Sequence, residues 1–89
     1  MKVNITKKFT KDFAHIKNQK LRLKTKELIF QLQYSDNLIH SSKIKKMKGY
    51  DNYFRIKMGN HRVGIQLLND EIYLIRILHR KDIYKYFPN

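Results

Sequence analysis

Apolar and polar residues alternate along this chain in two rhythms. In KVNIT (residues 2–6), Val3 and Ile5 are separated by polar neighbours, the period of two that marks a short strand. From Phe9 the spacing lengthens. Phe9, Phe13 and Ile16 stand at i, i+4 and i+7, one stripe of a helix, and Thr6 is placed to cap it. Asn18 breaks the pattern. From Lys20 helical spacing resumes with Leu21, Leu28, Ile29 and Leu32, with Leu23, Phe30 and Tyr34 beside them. The two stretches predict a helical hairpin whose second arm is longer. Ser35-Asp36-Asn37 ends it, and residues 35–42 read as a loop.

Residues 43–53, KIKKMKGYDNY, fit either a short strand or an extended connection, with a bend at Gly49. The alternation of two then returns. YFRIKM (53–58), HRVGIQLL (61–68) and EIYLIRILH (71–79) predict three strands. GN (59–60) and ND (69–70) are two-residue hairpin signals, the second weaker because Asp is not the favoured second residue. RKDIYKYF (80–87) reads as a turn or short helix before Pro88. The order is β-α-α-β-β-β. It predicts an α+β fold, one domain over residues 1–89, with the helical hairpin packed on one face of an antiparallel sheet and the first strand added at an edge.

Counting outward from two-residue turns gives the facing pairs. Met58 faces His61, Lys57 faces Arg62 and Arg55 faces Gly64. Across the second turn, Leu68 faces Glu71, Gln66 faces Tyr73, Gly64 faces Ile75 and Arg62 faces Ile77. Side chains alternate between faces, so one face collects Phe54, Ile56, Met58, Val63, Ile65, Leu67, Ile72, Leu74 and Leu78, the expected core. The other collects Tyr53, Arg55, Lys57, Arg62, Gly64, Gln66, Tyr73, Ile75, Ile77 and His79. In this register Arg76 falls on the core face. Gly64 reads as open ground where a ligand could approach the backbone. Opposed Lys57 and Arg62 repel, a cost that an anion between them would remove.

Charge strengthens that reading. Twenty Lys and Arg oppose seven Asp and Glu, a net charge of +13, and the excess runs through both halves of the chain. Such a field favours a polyanionic partner: RNA, DNA or an acidic protein. Lysine-rich composition also follows from AT-rich coding, and Lys20, Lys24 and Lys26 read as the solvated side of a helix. Cysteine is absent, which excludes disulfides and thiolate chemistry. Residues 1–17 hold no long apolar run and no later run approaches a membrane span, so a cytoplasmic protein with no membrane partner is expected.

The candidate chemistry is narrow. The basic face has no carboxylate pair, no Gly-rich phosphate loop precedes a helix, and His15, His40, His61 and His79 lack metal-ligand spacing. Neither a metal nor another cofactor is expected. Arg, Lys, His and Tyr suit one reaction well, RNA cleavage by its own 2′-hydroxyl. The protein then holds the nucleotide in line, stabilises charge on phosphorus and manages protons. His79 is the natural acid or base on that face, and Tyr84 could stack on a base. Alternating cations on an exposed sheet face also serve only to solvate it, and a lone histidine is more often incidental.

Tyr53-Phe54-Arg55-Ile56-Lys57, His61-Arg62-Val63 and His79-Arg80-Lys81-Asp82-Ile83-Tyr84, at these spacings, resemble the RelE/ParE superfamily of bacterial toxins from type II toxin–antitoxin pairs. The resemblance spans nearly the whole chain and is strongest over 47–87. It implies a ribosome-dependent mRNA endonuclease, with the ribosome, mRNA and a cognate antitoxin as partners. It implies catalytic roles for Lys57, Arg62, His79, Arg80 and Tyr84, and RNA contacts from Arg55, Lys57, Lys81 and Lys85. Arg62 would hold the scissile phosphate, Arg80 would act near the leaving oxygen and Tyr84 would orient the mRNA. Arg55 stands where some relatives carry lysine, which shifts the basic role to Lys57 or His79. Two alternatives share the fold: a ParE-like inhibitor of DNA gyrase and a degenerate, non-catalytic member.

Overall fold

In the computed structural model, which describes residues 1–35 and 41–88, the chain runs β1 (Lys2–Ile5), α1 (Lys7–Ala14), α2 (Gln19–Tyr34), β2 (Ile44–Lys46), β3 (Tyr53–Met58), β4 (His61–Leu68), β5 (Glu71–His79) and α3 (Ile83–Tyr86). Both long helices begin where their caps dictate. The Phe9 N–H donates to the Thr6 hydroxyl at 3.3 Å, and the Leu21 N–H to the Asn18 side chain at 3.0 Å. Arg22 closes the hairpin from inside. Its guanidinium lies 4.1 Å above the Phe13 ring and donates to the Phe13 and Ile16 carbonyls just past the end of α1. Of the expected loop over 35–42, residues 36–40 lie outside the described residues.

The sheet has five strands in the order β1-β5-β4-β3-β2. Strands β2 to β5 form the expected antiparallel meander, with residues 44–46 supplying an additional edge strand. At the other edge β1 runs parallel to β5, so the sheet is mixed rather than antiparallel. Parallel neighbours need a long crossover, and the helical hairpin lies within the one that joins β1 to the meander. Both turns are two-residue turns. Gly59 takes φ +59° at the first central position, and Asn69 and Asp70 take +52° and +61°, so ND serves despite its less favoured second residue.

The predicted register holds through the first hairpin, from Met58↔His61 to Tyr53↔Gln66. It holds in the second as far as Ile65↔Leu74, and then a β-bulge intervenes: Gly64 faces Arg76, Arg62 faces Leu78 and His61 faces His79. Ile75 is the inserted residue. The consequence is a swap. Ile77, not Leu78, is buried with Phe9, Leu28, Leu32, Ile56, Met58, Val63, Ile65, Ile72 and Leu74 under the helices. Leu78 and Ile75 instead pack on the opposite face against Met47, Ile83 and Phe87.

Arg76 explains why the bulge is favourable. Without it the guanidinium would enter the apolar core. With it, Arg76 reaches the sheet edge beyond the end of β1 and meets Asp12 of α1 in a two-pronged ion pair. Nε donates to Oδ2 at 2.7 Å and Nη2 to Oδ1 at 2.9 Å. Asp12 also accepts the Ile77 N–H at 3.1 Å, a backbone donor on an edge that β1 no longer covers. Both side chains are largely buried, 19% and 12% exposed. The hydrogen bonds it donates to Asp12 hold Arg76 protonated above its ordinary range, against the opposing effect of burial. The same guanidinium lies 5.9 Å from the Tyr86 ring, which links the helix layer to the C-terminal segment.

Candidate active site

The face of the sheet turned away from α1 and α2 carries the predicted cations. Alternation along β3 puts Arg55 and Lys57 on it, and the hairpin sets Arg62 opposite Lys57. Strand β2 extends the set. Lys45 faces Arg55, and the Lys57 N–H donates to the Lys43 carbonyl at 2.9 Å, which continues the row to Lys43. Cations therefore stand side by side on three neighbouring strands. Lys43, Lys45 and Lys57 are exposed, and Arg55 and Arg62 are half-buried. Lys43 and Lys45 were legible in principle. Lys43-Ile44-Lys45 repeats the cation-apolar-cation pattern of Arg55-Ile56-Lys57 two strands' width earlier in the chain, but a run too short to show its period does not declare itself a strand.

Helix α3 covers part of this face. It has only four residues, too few to stand alone, and is held by its ends. Ile83 is fully buried and Phe87 nearly so. The Phe87 ring rests on the bare backbone of Gly64, where a Cβ would come within 2.8 Å of three ring carbons. Gly64 is thus the seat of the C-terminal segment and not open ground for a ligand. Tyr53 supports the same ring edge-on, with centroids 5.7 Å apart. Docked this way, α3 brings Tyr84 over β3, where its exposed phenol oxygen accepts a 2.6 Å hydrogen bond from Arg55 Nε. The pair is charge-assisted, which fixes the phenol's position on an otherwise open surface.

The remaining predicted residues flank this centre. Arg62 Nη1 donates to the Gly59 and His61 carbonyls at 2.8 and 2.9 Å, which parks the guanidinium at the β3–β4 turn, its other donors unused among the described residues. Arg80 and Lys81 are exposed just past β5. The Arg80 N–H donates to the Asn60 carbonyl at 2.8 Å, which pins that loop beside the same turn. Lys85 is exposed and lies 3.9 Å from Asp82, a surface contact of little energetic weight.

His79 does not join the cationic face. The bulge turns it to the side of Val63 and Met58, where it meets His61 edge-on with ring centroids 5.5 Å apart. Its Nδ1 accepts the Lys81 N–H at 3.1 Å, so its contact with the site is through the backbone of the Arg80–Lys81 loop. Burial, and then the neighbouring His79, hold the His61 pKa below its ordinary 6.5. Among the described residues no group of three or more His, Asp or Glu side chains is placed to hold a metal ion.

Comparison with known proteins decides the family. The model of the ParE toxin of the type II toxin–antitoxin system parDE matches residues 3–84. Toxin RelE3 of the archaeon Methanocaldococcus jannaschii is 46% identical over 89 residues, covering 99% of this chain and all of that protein. This chain belongs to the ParE/RelE toxin family. It is a toxin of a type II toxin–antitoxin system, and the resemblance to bacterial toxins extends to archaeal ones. Among solved structures, the RelB-RelE antitoxin–toxin complex from Methanococcus jannaschii matches with TM-score 0.81 and 44% identity, over 96% of this chain and 99% of that one. The archaeal RelE-RelB complex from Pyrococcus horikoshii shares the fold at TM-score 0.72 with 18% identity, over 89% and 93%. No described helix of this toxin is long and apolar enough to cross a membrane.

Proposed function

We propose that this toxin is an endoribonuclease that cuts mRNA on the ribosome and is held in check by a cognate antitoxin. The observation that carries the reading is the pair of facing cation rows, Lys57 with Arg62 and Lys45 with Arg55, beside a tyrosine that Arg55 holds in place. Opposed like charges on neighbouring strands cost stability. An anion bound between them turns that cost into affinity.

The chemistry follows from what the face holds. The 2′-hydroxyl of the substrate attacks the adjacent phosphorus and closes a 2′,3′-cyclic phosphate as the bond to the 5′-oxygen breaks, its proton passing to the Lys57 amine and a solvent proton going to the leaving oxygen, so no protein nucleophile is needed. Lys57 and Arg62 neutralise the charge that develops on the phosphoryl oxygens, and fixed cations do so without reorganising. Arg80 serves the leaving oxygen from the adjoining loop. Tyr84, oriented by Arg55, stacks on or steers the neighbouring base, and Lys81 and Lys85 extend the RNA contacts. His79 acts as a positioning residue for the Arg80–Lys81 loop through its bond to the Lys81 N–H, rather than touching substrate. The face is open, and a scaffold that presents the substrate in line, as the ribosome does, supplies the positioning that an open surface lacks. RelB in the Methanococcus jannaschii complex is the precedent for an antitoxin partner.

The test is 5′-end mapping of one message in a cell-free translation reaction with the purified toxin added. Expected are new ends inside the reading frame that need ribosomes and vanish with Arg80→Ala. An intact message with translation still running would overturn the nuclease reading. A ParE-like block of DNA gyrase is the second reading, favoured by the family model that matches this chain, and loss of supercoiling activity in a gyrase assay would then be the expected result.

A further inference from the structure

Tyr50 has no part in the site described above, yet its ring stands beside it. It lies in the turn before β3 and is 40% exposed. That turn is held from within. The Met47 N–H donates to the Tyr53 carbonyl at 2.8 Å and the Tyr50 N–H to the Met47 carbonyl at 3.2 Å, while the Met47 side chain is buried with Ile83 and Phe87. Gly49, at φ +85°, makes the bend between them. The Tyr50 ring stands edge-on to Tyr53, with centroids 5.6 Å apart and planes at 83°, and Tyr53 stands edge-on to Phe87. The three rings form a ladder from the seat at Gly64 out to the surface, and Tyr50 is its open end. A ring fixed in this way loses little freedom when a ligand stacks on it.

The surroundings of the ring say what it takes. Lys45, Lys46 and Lys48 are exposed just before it in the chain, and Asp51, 3.9 Å from Lys46, is the one carboxylate of residues 43–53. Tyr53 and Arg55 are adjacent positions on the open face of β3, about 7 Å apart. Tyr50 leans on the first and Tyr84 on the second, with Lys45 opposite Arg55 on β2. The step between them equals about two stacked nucleotides at about 3.4 Å each. Rings and cations in this alternation suit a single-stranded polynucleotide, whose bases stack while its phosphates meet the cations. A protein partner would seek apolar surface around the ring, and its exposed neighbours in the chain are Lys48, Gly49 and Asp51. A base has room, since a Cβ at Gly49 would meet none of the described residues within 4 Å.

We infer that Tyr50 is a second base-stacking subsite for the RNA substrate, holding the base of a nucleotide about two positions from the one at Tyr84. The inference rests on the nuclease reading above. It adds to that reading a contact on the far side of Arg55 from Lys57. Two ring contacts fix the path of the strand along β3, and so set which phosphate lies between Lys57 and Arg62.

The experiment times cleavage by the whole toxin on ribosomes programmed with short messages in which one nucleotide at a time, near the cut, lacks its base. Removing the base that stacks on Tyr50 is expected to slow cleavage roughly tenfold, and Tyr50→Ala to slow cleavage of the intact message by a similar factor. The two losses are not expected to add: at that one nucleotide, the variant and the abasic message together lose no more than either alone. Tyr50→Phe is expected to restore the rate, because the ring and not the hydroxyl does the stacking. Tyr84→Ala is expected to show the same behaviour at a different nucleotide. Losses that add at every position would make Tyr50 a mere prop for Tyr53 and overturn the inference, as would coupling of Tyr50 and Tyr84 to the same nucleotide. Unchanged cleavage by Tyr50→Ala would also overturn it, and weaker antitoxin binding in that variant would then assign the ring to the protein partner. An intact message with the unaltered toxin is a different failure: the nuclease reading itself falls, and the inference with it.

Discussion

Arg76 and Arg55 stand on neighbouring parts of one sheet and are treated in opposite ways. Arg76 is largely buried, meets Asp12 through two hydrogen bonds and has its ring neighbour in Tyr86. Arg55 faces Lys45 across one strand gap, and its hydrogen-bonding partner is the uncharged Tyr84 phenol. Lys57 and Arg62 share that condition, opposed to each other and bonded to backbone carbonyls or to none. On the function proposed above, the difference separates cations that build the protein from cations kept for a ligand: one with its own carboxylate is spent on structure, whereas one set against like charge is open to an anion.

That contrast can be broken from the structural side first. Asp12→Ala leaves a buried guanidinium and the Ile77 N–H without an acceptor, and breaking such a pair costs about 3–5 kcal/mol. Urea unfolding should show a fall of that size, and a loss below about 1 kcal/mol would mean that Arg76 finds water instead. Gly64→Ala strikes the seat of the other face. The added methyl meets the Phe87 ring, so stability should drop by about 1–3 kcal/mol. Tyr84 should become mobile with it, visible as loss of its slowed ring and hydroxyl signals by NMR.

The ligand side should respond in the reverse sense. Lys57→Ala is expected to lower cleavage by roughly 100-fold, the scale of one preorganised donor. Its stability should be unchanged or up to about 0.5 kcal/mol higher, because a facing like charge is gone. A clear loss of stability in this variant would erase the distinction between the two classes of cation.

The smallest expected effect concerns pH. His61 is held neutral in the folded toxin more strongly than in the unfolded chain. The unfolded state therefore binds more protons as the pH falls through about 6.5, and stability declines there, having been fully present above it. His61→Gln should flatten that part of the curve in urea titrations between about pH 7.5 and 5.

Much of this was legible without coordinates. Period-two and helical spacing located α1, α2 and the three long strands, GN and ND set both turns, and local counting gave the whole β3–β4 register. Arg55, Lys57 and Arg62 therefore shared a face on paper as they do in the fold. The failures of register and face trace to one residue. A strand pattern counts positions, and the bulge at Ile75 inserts one, so His79 left the basic face, Ile77 replaced Leu78 in the core, and Arg76 left it.

Sequence by itself determined every long element, their order and the cationic character of β3 and β4, because those follow from spacing and turn chemistry within a few residues. Tertiary structure decided what contacts across long separations decide. Asp12, far earlier in the chain, receives the guanidinium that the bulge at Ile75 keeps out of the core. Phe87 makes Gly64 a packing site and so carries Tyr84 to Arg55. The periodicity of α2 could not say which of its two apolar stripes would face the sheet, since only one side of a helix can be buried against it, and packing chose the one with Leu28 and Leu32.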